Sequence, residues 1–322
     1  MGARFMPLRA LVAVLLVLPL AAGAFCTQPA DKYSVLARRV ATAASNEAEV
    51  QCIILDAMVP KQRFQFLFPP PIGGMLRRLR QEQATLCVLG MTHTVDRSGQ
   101  PKLGKLLNRG VEARIESLLS VPLGNTEGFF SSHTAPLGRT EGAGVPGGGE
   151  MVQCSYDATL IGGRRFELLD SADAVLGGQF PPQQPIFPAR VRWLDDEDAA
   201  SVTPELLERS EALAPLVSQW TALVREKRLE KKPEQIEAVL ADLGPMPSAE
   251  DADARALWVT GLACPLPGLN IPPRLELALE FRPAVLGAIG AVDRVEAAHK
   301  GIARAIDALR QVPEGWSDRM PS

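Results

Sequence analysis

Leu55-Asp56-Ala57-Met58-Val59-Pro60-Lys61-Gln62-Arg63-Phe64-Gln65-Phe66-Leu67-Phe68-Pro69 is the stretch on which the fold turns. Phe64, Phe66 and Phe68 recur at every second residue, the period of a strand that buries one face. Pro60-Lys61-Gln62 is a turn, and residues 50–59 before it read as a buried strand rich in Val, Ile and Leu. Pro69-Pro70-Pro71 ends the second strand. Ile72-Gly73-Gly74 then leads into a short amphipathic helix, expected over residues 75–80.

Outward from this stretch the strand pattern continues. Residues 85–91 form a buried strand, 96–100 a turn, and 110–118 a half-buried strand of alternating apolar and charged residues. Residues 121–149 carry Gly, Ser, Thr and Pro and are expected to be a long flexible insertion. Residues 151–161 are strand-like, Gly162-Gly163 is expected to turn the chain into 164–169, 171–187 is loose, and 189–194 is the last strand. From Thr203 the period becomes helical. Thr203 is an N-cap with Pro204 at the first helical position. Leu206, Leu213, Leu216, Val217, Trp220 and Leu223 share one broad face. Further helices are expected from Pro233 to Leu243, over 252–262, and twice more up to Leu309, with an elbow at 265–273. Strands first and helices second make an α+β chain rather than alternating βαβ units. The expected organisation is a leader over 1–24, a linker-like segment over 25–49, a β domain over 50–200, a helical domain over 201–312 and a short tail.

Composition bounds the function. The chain has 322 residues, 46% of them hydrophobic and 5% aromatic, so Leu, Val, Ile and Ala fill much of the core. The formal net charge is -3 and no basic stripe is visible, which argues against nucleic acid as a partner. The five cysteines, Cys26, Cys52, Cys87, Cys154 and Cys264, are far apart and include no CxxC, so neither a zinc ribbon nor a thioredoxin-like site is expected. Cys52 and Cys87 lie in apolar runs and read as buried thiols acting as small hydrophobes.

The N-terminus reads as an address. Arg4 and Arg9 precede an apolar run from Ala10 to Ala24 that Pro19 interrupts, and Ala22-Gly23-Ala24 offers a cleavage site. That is the grammar of a signal peptide, and the run is short for a membrane span. Phe25 and an Ala/Ser/Thr-rich segment with Arg38 and Arg39 follow, similar to the two-part plastid presequence of algae with secondary plastids. Plain secretion, or residence in the endomembrane lumen, is the alternative. No stable membrane span is expected once the leader is removed.

Taken in order, the segments resemble the N-terminal, substrate-binding domain of Lon proteases. The opening Leu55–Pro69 stretch looks like that domain's strand, proline turn and second strand. Cys87-Val88-Leu89-Gly90-Met91 and Leu106-Leu107-Asn108-Arg109-Gly110-Val111-Glu112-Ala113-Arg114-Ile115 resemble its next strands. Ile161-Gly162-Gly163-Arg164-Arg165-Phe166-Glu167-Leu168-Leu169 resembles its most recognisable segment, and Ala189-Arg190-Val191-Arg192-Trp193-Leu194 the strand that follows. Ala256-Leu257-Trp258-Val259, Pro265-Leu266-Pro267 and Ile271-Pro272 are similar to the helical segment of stand-alone members. The resemblance spans about residues 50–310. It implies a PUA-like pseudo-barrel of mostly antiparallel strands, followed by a helical bundle, that recognises polypeptides without turnover. Where the family often has Phe-Glu-Pro-Arg-Tyr, this chain has Phe68-Pro69-Pro70-Pro71-Ile72, so no role of those polar residues carries over.

Other chemistry is weakly signalled. Gly99-Gln100-Pro101-Lys102-Leu103-Gly104-Lys105-Leu106 nearly matches a phosphate loop but ends on leucine where Ser or Thr would hold magnesium. His93, His133 and His299 lie in unrelated segments, and no Gly-x-Ser-x-Gly elbow or HExxH occurs. No cofactor and no metal are expected. Of Arg164 and Arg165, one guanidinium should be exposed and the other stem should pack along the barrel. The phenylalanines at 64, 66 and 68 suit a core. Phe68, Pro70 and Met75 are the candidates for a partly apolar rim that touches polypeptide, since proline costs little entropy to order and methionine adapts to varied surfaces. The leading expectation is a non-catalytic binding module for unfolded or client polypeptides, with a protease as a further partner. Two alternatives stay open: a hydrolase on the same scaffold, tested at His93, Asp157 and Arg165, and an RNA-binding PUA-like protein.

Overall fold

The computed structural model describes residues 46–95, 101–122, 154–171, 185–194, 203–264, 269, 271 and 281–316. The leader, most of the expected insertion, the 96–100 turn, His133 and most of the 265–273 elbow lie outside them. Six strands and seven helices follow in order. They are β1 (Glu47–Ile54), β2 (Arg63–Phe68), α1 (Pro70–Gln81), β3 (Leu86–Val95), β4 (Pro101–Pro122), β5 (Cys154–Leu168), β6 (Ile186–Trp193), α2 (Pro204–Glu211), α3 (Leu213–Glu226), α4 (Gln235–Leu243), α5 (Ala252–Ala263), α6 (Arg282–Gly287) and α7 (Ala291–Arg310).

Five strands close into a barrel in the order β5-β4-β3-β1-β6, with β6 returning to β5. The β1–β3 pairing is parallel and the other pairings are antiparallel, so the chain is α+β with a mixed barrel. Closure depends on two long strands that each serve more than one neighbour. β4 pairs with β3 over its first half and with β5 over its second, and extra residues at 103–110 against β3 and at 115–117 against β5 bend it. β5 gives the end of one edge to β6 and the start of the same edge to β2. β2 is therefore an extra strand laid outside the closed ring.

Three features differ from the sequence expectation. The first helix starts at Pro70, not at Met75. Proline lacks only an N–H that the first turn leaves unpaired anyway, so the proline run opens the helix instead of holding it off. β4 begins at Pro101 and not at Gly110, so residues 101–106 of the phosphate-loop look-alike are strand residues. Gly162-Gly163 makes no reversal; β5 continues through it with a bulge at 162–165 against β4. A Cβ on Gly162 would stand 2.3 Å from the Val59 carbonyl oxygen, so glycine is there to let the 59–62 turn approach the strand.

Two apolar clusters fill the strand region. Val50, Cys52, Ile54, Cys87, Leu89, Met91, Phe166, Leu168, Phe187, Ala189 and Val191 come from the strands of the ring. Phe64, Phe68, Ile72, Leu76, Leu79, Leu86, Val88, Val111, Ala158 and Leu160 join the outer strand and α1 to the barrel wall. A third cluster belongs to the helices and surrounds α5, which is buried on nearly every side, as a central helix should be. The broad face expected over 206–223 is divided between α2 and α3, which break at Ala212. Thr203 caps α2 as expected, its Oγ1 accepting from the Leu206 N–H at 3.2 Å. Thr203→Ala should cost about 1 kcal/mol. The check is a lower urea midpoint at unchanged m-value.

The helical unit is bolted to the barrel by polar contacts. Gln62 Nε2 donates to the carbonyls of Cys264 (2.9 Å) and Gly261 (3.3 Å) at the end of α5, while its Oε1 accepts from the Val59 N–H. Asp253 on α5 bridges Arg165 of β5 (2.9 Å) and Arg294 of α7. Arg294 and Arg109 of β4 both donate to the Ala288 carbonyl, at 2.9 and 2.7 Å.

Candidate functional site

Alternation along β2 sends Phe64, Phe66 and Phe68 to one face and Arg63, Gln65 and Leu67 to the other. The phenyl rings form a row, with Phe64 and Phe66 edge to face at 5.7 Å and Phe66 and Phe68 tilted at 5.6 Å. α1 lies over this row. Its buried residues Ile72, Gly73, Leu76 and Leu79 face the sheet, and its turns carry Arg77, Arg78 and Arg80 outward. Arg77 stacks over the Tyr156 ring at 5.0 Å, and Arg80 donates to the Glu116 carbonyl at 3.3 Å, so β4 and β5 fix the helix from one flank.

The three rim candidates end in different places. Pro70 is exposed on the first turn of α1, and Met75 is half-buried against the core. Phe68 is only 4% exposed, so its ring is part of the core and not a contact surface. The half-exposed ring is Phe66, which the sequence did not single out. All three phenylalanines carry the same periodic signal. Only the position of α1 decides which of them stays open.

Nearby, Leu119 is the most exposed large apolar residue of the described strands, at 62%. It is the register partner of Asp157, which in turn faces Leu67 across β2. Leu67 and Leu119 thus flank Asp157 on the outward face of the three-stranded extension. Gln65 donates to Asp157 at 2.7 Å, and Ser117 to Thr159 at 2.9 Å, so the polar groups between them are paired.

The backbone of β2 supplies the second half of the site. The Gly162 N–H donates to the Gln62 carbonyl at 2.9 Å. Counting by twos along the antiparallel register, Phe64, Phe66 and Phe68 turn their backbone groups toward β5, and Arg63, Gln65 and Leu67 turn theirs to the other edge. Among the described residues no strand pairs with that edge. It is bracketed by Arg63, held by Glu116 and by Asp242 (2.9 Å), and by the prolines 69–71, devices that keep an open edge short.

Of the residues that a hydrolase would need, Asp157 and Arg165 do not come together. Asp157 bonds Gln65 on the outer sheet face, Arg165 is buried against Asp253, and the side chain of His93 lies outside the described residues. His299 is exposed on α7. Arg164 is the exposed guanidinium of its pair and stacks over Trp193 at 4.1 Å, whereas Arg165 forms a cross-unit ion pair rather than packing by its stem alone. Groups moved from their ordinary pKa range are scattered. Burial pushes the Cys87 thiol up and the Arg255 guanidinium down. On the helical unit, Glu237 and Glu250 are held low by their own backbone N–H groups, and Glu296 by Lys300. Among the described residues no group of three or more His, Cys, Asp or Glu could hold a metal ion, and no helix is long and apolar enough to cross a membrane.

No protein-family model matches the chain, and no curated protein matches it. Among solved structures it is similar to the N-terminal domain of a Mycobacterium avium complex Lon protease, with 14% identity and a TM-score of 0.39, over 80% of this chain and 98% of that one. It is also similar to a Lon N-terminal domain protein from Xanthomonas campestris, with 12% identity and a TM-score of 0.34, over 83% and 99% of the two chains.

Proposed function

We propose that this chain is a stand-alone Lon N-terminal domain protein that holds extended polypeptide without turning it over. The supporting observation is the open edge of β2, with Phe66 half-exposed on one face and Leu67 and Leu119 on the other. An extended chain added there would take main-chain hydrogen bonds from Gln65 and Leu67, and its alternate side chains would find apolar surface. The order of the Lon-like segments in the sequence supports the same reading. Unfolded or client polypeptides are the ligands, and a protease is the partner that would consume them. The mature protein works in a plastid after its two-part leader is removed, which N-terminal sequencing of the purified protein checks.

The binding test uses a fluorescent, reduced and alkylated protein that cannot refold. The mature chain should bind it, and Leu67→Pro should weaken binding about tenfold or more. Proline removes the N–H at the open edge and its ring occupies the space of a docking strand, yet an edge position facing away from the ladder tolerates it. Circular dichroism checks that the fold survives. Equal binding by a folded Leu67→Pro variant, or none by the wild type up to high micromolar concentration, would rule the edge out.

A further inference from the structure

Cys52 of β1 and Cys87 of β3 are register partners across the parallel pairing of the barrel. Both have 0% exposure and sit in one apolar cluster with Val50, Ile54, Leu89 and Phe166. Both are free, buried thiols, and the Cys52 side chain is among the groups that raise the Cys87 thiol. Adjacent strands lie about 4.7–4.9 Å apart. That spacing falls inside the Cα separation of about 4.4–6.8 Å that a disulfide accepts, and two partners on one face direct their Cβ atoms the same way. The residues between them, 53–86, hold the 59–62 turn, β2 and α1, which is the whole lobe described above.

We propose that Cys52 and Cys87 are a modification site: they join as a cross-strand disulfide when the chain folds in contact with a disulfide oxidant, and the bond pins the β2–α1 lobe at its root. The chemistry is ordinary thiol–disulfide exchange. The thiolate of one cysteine attacks a sulfur of the oxidant's disulfide, forms a mixed disulfide and expels one thiolate. The thiolate of the other attacks the protein-side sulfur of that mixed disulfide, the Cys52–Cys87 bond forms, and the second oxidant thiolate leaves. The pair loses two protons and two electrons, and the electrons depart in the two thiols of the reduced oxidant. Burial holds the Cys87 thiol firmly protonated once the barrel has closed. Exchange therefore belongs to the folding chain, before β1 and β3 are sealed, and the finished bond is protected from reductant. The pair records the redox environment in which the chain folded. This holds whether or not the lobe binds polypeptide.

The test unfolds the mature chain and refolds it in parallel with a mixture of oxidised and reduced glutathione, or with reductant alone. Free thiols are then alkylated, and the digest is read by mass spectrometry. A Cys52–Cys87 linked peptide should dominate the oxidised sample. The oxidised protein should melt about 5–10 °C above the reduced one, as expected for closing a loop of this size. Cys52→Ala should remove both effects, and Cys264→Ala neither. Recovery of both cysteines alkylated from natively folded, oxidised protein overturns the proposal. So does a linked peptide with no rise in melting temperature, because the bond would then pin nothing. If refolding fails, the wild-type chain made in an oxidising compartment and alkylated on lysis gives the same readout.

Discussion

Asp253→Asn is expected to destabilise the protein by about 3–5 kcal/mol, the range seen when one partner of a buried ion pair is removed. Asp253 is 9% exposed, and its carboxylate touches Arg165 of β5 and Arg294 of α7, which are 9% and 0% exposed. Asparagine keeps the shape and withdraws the charge, leaving two buried guanidinium groups facing a neutral amide. Urea unfolding measures the loss. The informative control is the triple variant Arg165→Met, Asp253→Leu, Arg294→Met. It should lie much closer to wild type than Asp253→Asn does, because apolar replacement removes the desolvation cost together with the attraction. A loss below about 1 kcal/mol in Asp253→Asn would show that the triad does not hold the helical unit to the barrel. A separation of the transition into two steps would show the reverse. Each unit would then unfold alone once the clamp is gone.

Gly73→Ala should dislodge α1 from the sheet and cost about 1–3 kcal/mol, the usual range for overpacking. A Cβ at this position would stand 2.0 Å from Tyr156 Cδ2, 2.2 Å from Cγ and 2.6 Å from Cβ. These atoms lie near the backbone of β5 and cannot swing aside, so the helix must lift. The gain in helix propensity, about 1 kcal/mol, offsets only part of this. The neighbouring Gly74 sees nothing within 4 Å, so Gly74→Ala should leave stability level or raise it by up to about 1 kcal/mol. The pair of variants separates contact from propensity on adjacent residues. Lifting α1 moves Pro70 and Met75 relative to β2, so Gly73→Ala should also weaken capture of the unfolded probe, whereas Gly74→Ala should not. Tyr156→Ala in the Gly73→Ala background should recover stability relative to Gly73→Ala alone. Thermal melts that rank Gly73→Ala with Gly74→Ala would contradict the packing argument.

Much of this molecule is legible in one dimension, because its elements obey short periods. The Phe64, Phe66, Phe68 alternation sets β2, the apolar runs around Cys52 and Cys87 set two central strands, and Thr203-Pro204 marks the start of the helical half. Each is a local rule read within a few residues, and each survives in the structure. The rules fail where a residue answers to something distant. Pro69-Pro70-Pro71 ends β2 as it reads, but it also opens α1, which the sequence placed five residues later. Gly162-Gly163 reads as a reversal, yet β5 continues, since the absent side chain serves a carbonyl a hundred residues earlier in the chain. Arg165 reads as a stem packed along the barrel and pairs with Asp253 on a helix.

The candidate site divides along the same line. Residue order alone determined that this chain would build strands before helices, place a phenylalanine-bearing strand next to a proline-led segment, and carry no compact catalytic motif. Those features depend on neighbours within one or two turns of chain, whose steric and hydrogen-bonding preferences are local. Tertiary structure alone decided that the barrel closes through β5 and β6, that no strand among the described residues pairs with the outer edge of β2, and that Phe66 is half-buried where Phe68 is buried. It also brought Cys52 beside Cys87. Strand neighbours and ring exposure are set by which surfaces remain to be buried once every element is present, and no window of the sequence contains that sum.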